Sequence, residues 1–213
     1  SRVKNKTIKI IGVRKLSGFN HIIMPDRIEA GTYAIAAAIT GGRVELLDAP
    51  VNNLESVIKL LKKMGVNITI YPDGMLVDAP EKLNNFDLIT EVYPGFPSDL
   101  QAQAMALMSV SKGISTIEEK IFENRFMHVS ELLRFGAEIH VKGSKAIING
   151  NKILTSAQVM ATDLRASSSL VLAALRAEGD TVINRVYHLD RGYEDMEKKL
   201  SACGAYIKRV RSN

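Results

Sequence analysis

Hydrophobic and polar positions follow two rhythms along the chain, and the changes of rhythm mark out its elements. Three stretches are apolar on nearly every side: "AIAAAI" at 34–39, "AMALMSV" at 104–110 and "LVLAAL" at 170–175. Helices apolar all round are buried on several sides. Three further stretches read as second helices. In "NNLESVIKLLKKMG", Leu54, Val57, Ile58 and Leu61 form one stripe while Lys59, Lys62 and Lys63 point elsewhere, the pattern of a surface helix. "NRFMHVSELLRFG" and "DRGYEDMEKKLSACG" occupy the same place further along. Short β-rich stretches follow each apolar helix, at "RVELL", "STIEE" and "TVINRV". Strand pairs close around the tight turns "PDG" and "KGS".

These elements recur in order. "PDRIEAGTYAIAAAITGG", "SDLQAQAMALMSVSKG" and "TDLRASSSLVLAALRAEG" each set an aspartate (Asp26, Asp99, Asp163) ahead of an apolar run that ends at glycine. The glycines of the two helices then lie 23 residues apart from Gly42 to Gly65, 23 from Gly113 to Gly136, and 25 from Gly179 to Gly204. A unit of about 65–70 residues repeated three times predicts three buried helices surrounded by sheet, with three more helices outside. The opening stretch "TIKIIGVRKLSGFNHIIMPD" parallels "KAIINGNKILTSAQVMATD". The chain therefore reads as starting with the end of a repeat, a piece of something longer. Its last copy stops after one strand, "AYIKRV". An open edge there is an association hazard. We expect residues 7–12 to fold back beside 205–210 and close it. Exchange of that strand between two chains, giving a swapped dimer, is the alternative.

Composition narrows the function. The 213 residues are 46% hydrophobic and 24% charged, an ordinary globular balance. The N-terminus lacks the apolar core of a signal peptide, and no window is long and apolar enough for a membrane span. The single cysteine, Cys203, makes no internal disulfide and suits a reducing cytoplasm. A net charge of +5 with scattered lysines does not favour nucleic acid and fits small anionic ligands. The four histidines have no metal-ligand spacing, and neither a Walker loop nor a dinucleotide glycine fingerprint occurs.

The three aspartates read first as helix starters. A carboxylate in a first turn complements the helix dipole by about 0.3–1 kcal/mol, and Ser98 with Gln101 reads as a capping box. Arg125, Arg165 and Arg191 break the same rule, because each is a cation near the predicted start of a helix. An anion docked there would satisfy arginines and backbone amides together. Salt bridges to Asp163 or Asp190 are the plain alternative.

The stretches "PDRIEAGTY", "YPGFPSDLQAQ", "IFENRFMHV", "VMATDLRASSSLVLA" and "YHLDRGYE", spread over residues 12–209, give the chain a family resemblance. It resembles the C-terminal part of the UDP-N-acetylglucosamine 1-carboxyvinyltransferases, the enolpyruvyl transferases that open peptidoglycan synthesis. The resemblance implies an α/β fold: an inside-out α/β barrel of three βαβαββ repeats, one domain of a two-domain enzyme. Residues 1–23 would be a strand or hairpin segment of the preceding domain. Residues 24–213 would form the C-terminal domain, with repeats near 26–97, 98–161 and 162–213. The implied reaction moves enolpyruvyl from phosphoenolpyruvate to the 3-hydroxyl of UDP-N-acetylglucosamine in the cytoplasm and releases phosphate, with no cofactor or metal.

Residue by residue, the resemblance gives Asp99 a second role as the general base at that hydroxyl. It makes Arg191 a phosphoenolpyruvate contact and, with Asp99, a catalytic residue, and sets Asp163 and Arg165 near the reactive centre as substrate-binding residues. Ile121 becomes a backbone contact to the nucleotide sugar, with Phe122 beside it; without the resemblance both read as core. Arg125 joins the substrate-binding set. The family's reactive cysteine lies in its N-terminal domain and Cys203 matches no catalytic position, so the fragment is expected to be inactive alone. The related shikimate-pathway enolpyruvyl transferase and a non-catalytic module on the same fold are the competing readings.

Overall fold

Asp26 and Asp163 do what their position ahead of an apolar run predicts. The computed structural model of the protein describes residues 2–4, 7–150 and 153–210. Residues 1, 5, 6, 151, 152 and 211–213, which belong to the expected N-terminal segment and to the second and third copies, lie outside these described residues. Asp26 caps helix α1 (Arg27–Thr40) by accepting from the Ile28 amide at 2.7 Å. Asp163 caps α5 (Leu164–Arg176) by accepting from the Arg165 and Ala166 amides at 2.8 and 3.0 Å. Such caps satisfy amides that have no partner inside the helix.

In chain order the elements are β1 (Arg2–Lys4), β2 (Thr7–Ile8), α1, β3 (Arg43–Leu47), α2 (Glu55–Lys63), β4 (Asn67–Tyr71), β5 (Gly74–Asp78) and β6 (Leu88–Ile89). Helix α3 (Gln101–Ser109), β7 (Ile114–Glu118), α4 (Val129–Arg134), β8 (Glu138–Lys142), β9 (Lys145–Asn149), β10 (Gln158–Met160), α5, β11 (Val182–Asn184) and α6 (Met196–Ala202) follow. The three apolar helices α1, α3 and α5 pack on one another, and every residue of α3 is buried. Strand and helix periods hold locally. The α2 stripe Leu54, Val57, Ile58 and Leu61 is buried, and its three lysines are exposed. The three second helices all end at a glycine of positive φ: Gly65, Gly136 and Gly204, at 100°, 82° and 99°. That left-handed backbone favours glycine.

The first two copies share a strand arrangement, and among the described residues the third has only β11, paired with β10. β5 sits between β3 and β4, and β9 between β7 and β8, all antiparallel. β6 and β7 run parallel on either side of α3, and β10 and β11 run parallel on either side of α5. Each is a βαβ crossover, which needs a helix between its strands.

The N-terminal stretch departs from expectation. Thr7–Ile8 pairs with Arg2–Lys4 and not with 205–210. Residues 9–26 form no strand and are exposed, so α1 lacks the preceding strand that α3 and α5 have. The 205–210 edge is not a strand either. Arg209 ties it back, donating to Asp190 at 2.6 and 2.9 Å and to Glu197 at 3.2 Å. Those bonds hold both carboxyls below their ordinary range. No helix among the described residues is long and apolar enough to cross a membrane.

Candidate functional site

Asp99 is the aspartate that does not cap. It lies in a 3-10 turn, Ser98–Leu100, and α3 begins after it with Leu100 as its N-cap and no side-chain cap bond. The expected capping box does not form. Ser98 Oγ instead donates to Glu119 Oε2 at 2.8 Å and accepts from Arg125 Nε at 3.1 Å. Freed from capping, the Asp99 carboxylate collects two guanidinium groups on one oxygen. Arg125 Nη2 reaches Oδ1 at 3.1 Å, and Arg165 donates to the same atom. Among the described residues no hydrogen bond ends on Oδ2. Side chains 26 and 66 residues apart in sequence thus meet at one carboxylate.

The loop ahead of Asp99 is fixed by its own backbone and by one buried aromatic. Glu91 N donates to Phe96 O at 2.9 Å, Gly95 N donates to Val92 O at 2.9 Å, and Phe96 is buried. Residues 93–97 therefore return on themselves and deliver Ser98 and Asp99 in a set direction. Behind them, Gln103 Nε2 donates to the Asp99 carbonyl at 3.1 Å and contacts the Tyr193 hydroxyl at 3.4 Å. Tyr193 in turn shares a 2.8 Å hydrogen bond with Thr32. This buried group joins α1, α3 and the segment after the last 3-10 turn at the back of Asp99.

The arginines divide. Arg165 is the second residue of α5, so a cation does sit at that helix start, and the Asp99 carboxylate offsets it. Arg125 precedes α4 by four residues, in a loop turned by Asn124, whose φ is 53°. Asparagine tolerates this left-handed region better than other side chains do. The Arg125 guanidinium lies over the Phe122 ring, 4.6 Å from its centroid. Burial, with Arg165 second, lowers its pKa from the ordinary arginine value. Arg191 ends the 3-10 helix Val186–Arg191, where a cation suits the dipole. It is exposed and makes no side-chain bond among the described residues. Its neighbour Gly192 abuts Leu164 so closely that a Cβ there would lie 2.9 Å from a Leu164 methyl. Arg191 thus emerges beside the start of α5. The salt bridges anticipated for these arginines take other partners: Arg165 pairs with Asp99, and Asp190 with Arg209.

Ile121 and Phe122 are not core. Phe122 is exposed under Arg125, and Ile121 is half-buried. Their amides donate to Glu119 Oε1 at 2.8 and 3.1 Å. These bonds fix the 121–122 backbone against Glu119.

Arg125, Arg165, Asp163, Gln101, Asn124 and His128 line a pocket of about 200 Å³. Of these lining residues, Gln101 and His128 each have a buried Nε2 that finds no partner among the described residues. Buried polar atoms normally find partners; these two residues and the two guanidinium groups make the lining of the pocket polar. Burial pushes the His128 imidazole down to about 4; Asp163 opposes this and Arg125 adds to it. Sequence reasoning passed over Glu119, His128, Gln103 and Tyr193. For Glu119 a signal was present. Strand period sets it on the same face as buried Ser115 and Ile117, where a carboxylate is out of place.

Comparison with known proteins gives these features a context. A family model described as EPSP synthase (3-phosphoshikimate 1-carboxyvinyltransferase) matches residues 2–200. The chain is 59% identical over 206 residues to a UDP-N-acetylglucosamine 1-carboxyvinyltransferase of Paramagnetospirillum magneticum, covering 96% of this chain and 48% of that protein. It is 57% identical over 203 residues to one of Granulibacter bethesdensis, covering 95% and 48%. The chain spans about half the length of the curated relatives it matches. Among solved structures, the enolpyruvyl transferase NikO from Streptomyces tendae superposes with a TM-score of 0.78 at 28% identity, over 87% of this chain and 44% of that one. An EPSP synthase from Acinetobacter baumannii superposes at 0.65 with 18% identity, a likeness of fold alone, over 87% and 44%.

Proposed function

The chain belongs to the EPSP synthase family, and from that premise we propose that it is the C-terminal domain of an enzyme that transfers enolpyruvyl from phosphoenolpyruvate to the 3-hydroxyl of UDP-N-acetylglucosamine. In this reading residues 24–213 form an inside-out barrel of three βαβαββ units. The mutual packing of α1, α3 and α5 and the two βαβ crossovers support it. Residues 1–23 belong with the preceding domain. Their exposed apolar side chains, such as Ile10 and Ile22 at 85% and 92%, support a partner surface there. A second copy exchanging residues 7–12 is the alternative, and light scattering on the chain in solution separates the two. The reaction is cytoplasmic and opens peptidoglycan synthesis.

The observation that carries the reading is Asp99, withdrawn from helix capping and gripped through Oδ1 by two arginines. Oδ2 is then the oxygen that takes the proton of the sugar hydroxyl as its oxygen bonds to the enolpyruvyl carbon and phosphate departs. A base must stand within hydrogen-bond reach of that proton, and a carboxylate fixed by two cations is pre-oriented for it. Arg191, Arg125 and Arg165 bind the anionic groups of the substrates, for which guanidinium groups are suited. Asp163 holds the start of α5, and with it Arg165. The Ile121 carbonyl and Phe122 meet the nucleotide sugar.

The test is phosphate release from phosphoenolpyruvate by the full-length enzyme containing this chain. Release is expected with UDP-N-acetylglucosamine as acceptor and not with shikimate 3-phosphate. The reverse preference would favour the shikimate-pathway activity, and no release with either acceptor would favour a non-catalytic module.

A further inference from the structure

Glu119 follows the last residue of β7 and is 3% exposed. A carboxylate at that depth is costly to keep unless its oxygens are satisfied. Four groups satisfy it. Thr90 Oγ1 and the Ile121 and Phe122 amides donate to Oε1 at 2.8, 2.8 and 3.1 Å, and Ser98 Oγ donates to Oε2 at 2.8 Å. All four donate, as an acceptor-only carboxylate requires. No cation pairs with it directly among the described residues.

These bonds reach Arg125 by two routes. Ser98 has one hydroxyl proton, and Glu119 takes it. A Ser98 lone pair is therefore left for Arg125 Nε, at 3.1 Å. By the other route, the two amide bonds fix the 121–122 backbone and so the Phe122 ring over which the Arg125 guanidinium lies. Arg125 then donates to Asp99 Oδ1.

We propose that Glu119 is a positioning residue for the Asp99 site, setting the Ser98 hydroxyl and the 121–122 loop so that Arg125 holds the Asp99 carboxylate in one orientation. This deepens the reading of Asp99 as the base and rests on it. Glu119 itself touches no reacting atom.

The test uses Glu119→Gln and Ser98→Ala. Glutamine keeps an oxygen for Thr90 and the two amides but turns an NH2 toward Ser98, whose proton is then free to rotate away. In this chain labelled with ¹⁵N, the Arg125 Nε–H signal is expected to shift in both variants and to exchange with water several-fold faster. Backbone amides distant from the site keep their positions. An Arg125 signal unchanged in both variants overturns the proposal, whatever the activity of the enzyme. In the full-length enzyme each variant is expected to lower kcat roughly tenfold, with KM for the nucleotide sugar nearly constant. The double variant should fall no further than either single one, because both act through one link. Additive losses, or unchanged kcat in an enzyme that Asp99→Asn inactivates, overturn the positioning role and leave the Asp99 reading intact. Normal kcat in Asp99→Asn overturns that reading instead, and the Arg125 signal alone then decides the geometry.

Discussion

Arg165, at the start of α5, donates to Oδ1 of Asp99, at the start of α3. The contact bridges the N-terminal ends of two buried helices that pack directly on each other. It also explains why the middle copy of a threefold pattern abandons its cap. Asp26 and Asp163 spend their carboxylates on backbone amides, whereas Asp99 spends its own on side chains.

Arg191 differs from the other two arginines in making no side-chain bond among the described residues. Arg191→Lys should leave stability within about 0.5 kcal/mol, as for surface changes that break nothing. It should lower kcat/KM for phosphoenolpyruvate by roughly ten- to a hundredfold in the full-length enzyme, because a lysine cannot offer two parallel N–H donors. Steady-state kinetics beside urea unfolding checks both halves. Wild-type kinetics would remove Arg191 from the anion site.

His128 should make the fold sensitive to mild acid. Its ordinary value is 6.5 and burial brings it to about 4 in the folded state. Between those values the unfolded chain binds more protons, so stability is complete above pH ~6.5 and falls as the pH drops towards 4. The loss approaches about 3 kcal/mol, at ~1.4 kcal/mol per pKa unit. Urea unfolding from pH 7 to 4 should show that slope in the wild type and a shallower one in His128→Gln. Equal slopes would contradict the assignment.

Tyr193→Phe removes the hydroxyl shared by Thr32 and Gln103 at the back of Asp99. Thr32 keeps its bond to the Ile28 carbonyl and Gln103 its bond to the Asp99 carbonyl. The expected cost is therefore modest, about 1–2 kcal/mol by urea unfolding. A neutral result would mean that α1, α3 and the Tyr193 segment do not need this polar link.

Much of the fold was legible because burial and period coincide in it. The all-round apolar runs became the three central helices, and the stripe of α2 faces inward residue by residue. The N-terminal segment was misread because repeat register says which strand a stretch resembles, not which partner is beside it. Residues 9–26 form no strand, and Arg209 ties the other edge to Asp190 and Glu197. At the site, Asp99 and the arginines stood out as residue types. Their arrangement did not, since the Ser98 turn looks like a capping box until Glu119 claims its hydroxyl. Glu119 carried a strand-period signal, but its bonds to Thr90 and Ser98, like those of Tyr193 to Thr32 and Gln103, join residues distant in sequence, which local patterns do not carry.

The most direct measurement is phosphate release by the full-length enzyme with Asp99→Asn, given phosphoenolpyruvate and UDP-N-acetylglucosamine. Asparagine keeps the shape and the acceptor oxygen for Arg125 and Arg165 but cannot accept the hydroxyl proton. A fall in kcat of roughly 10²–10⁴-fold, with KM for both substrates changed far less, is expected of a lost general base. A kcat within a few-fold of the wild type would contradict Asp99 as the group that takes the proton.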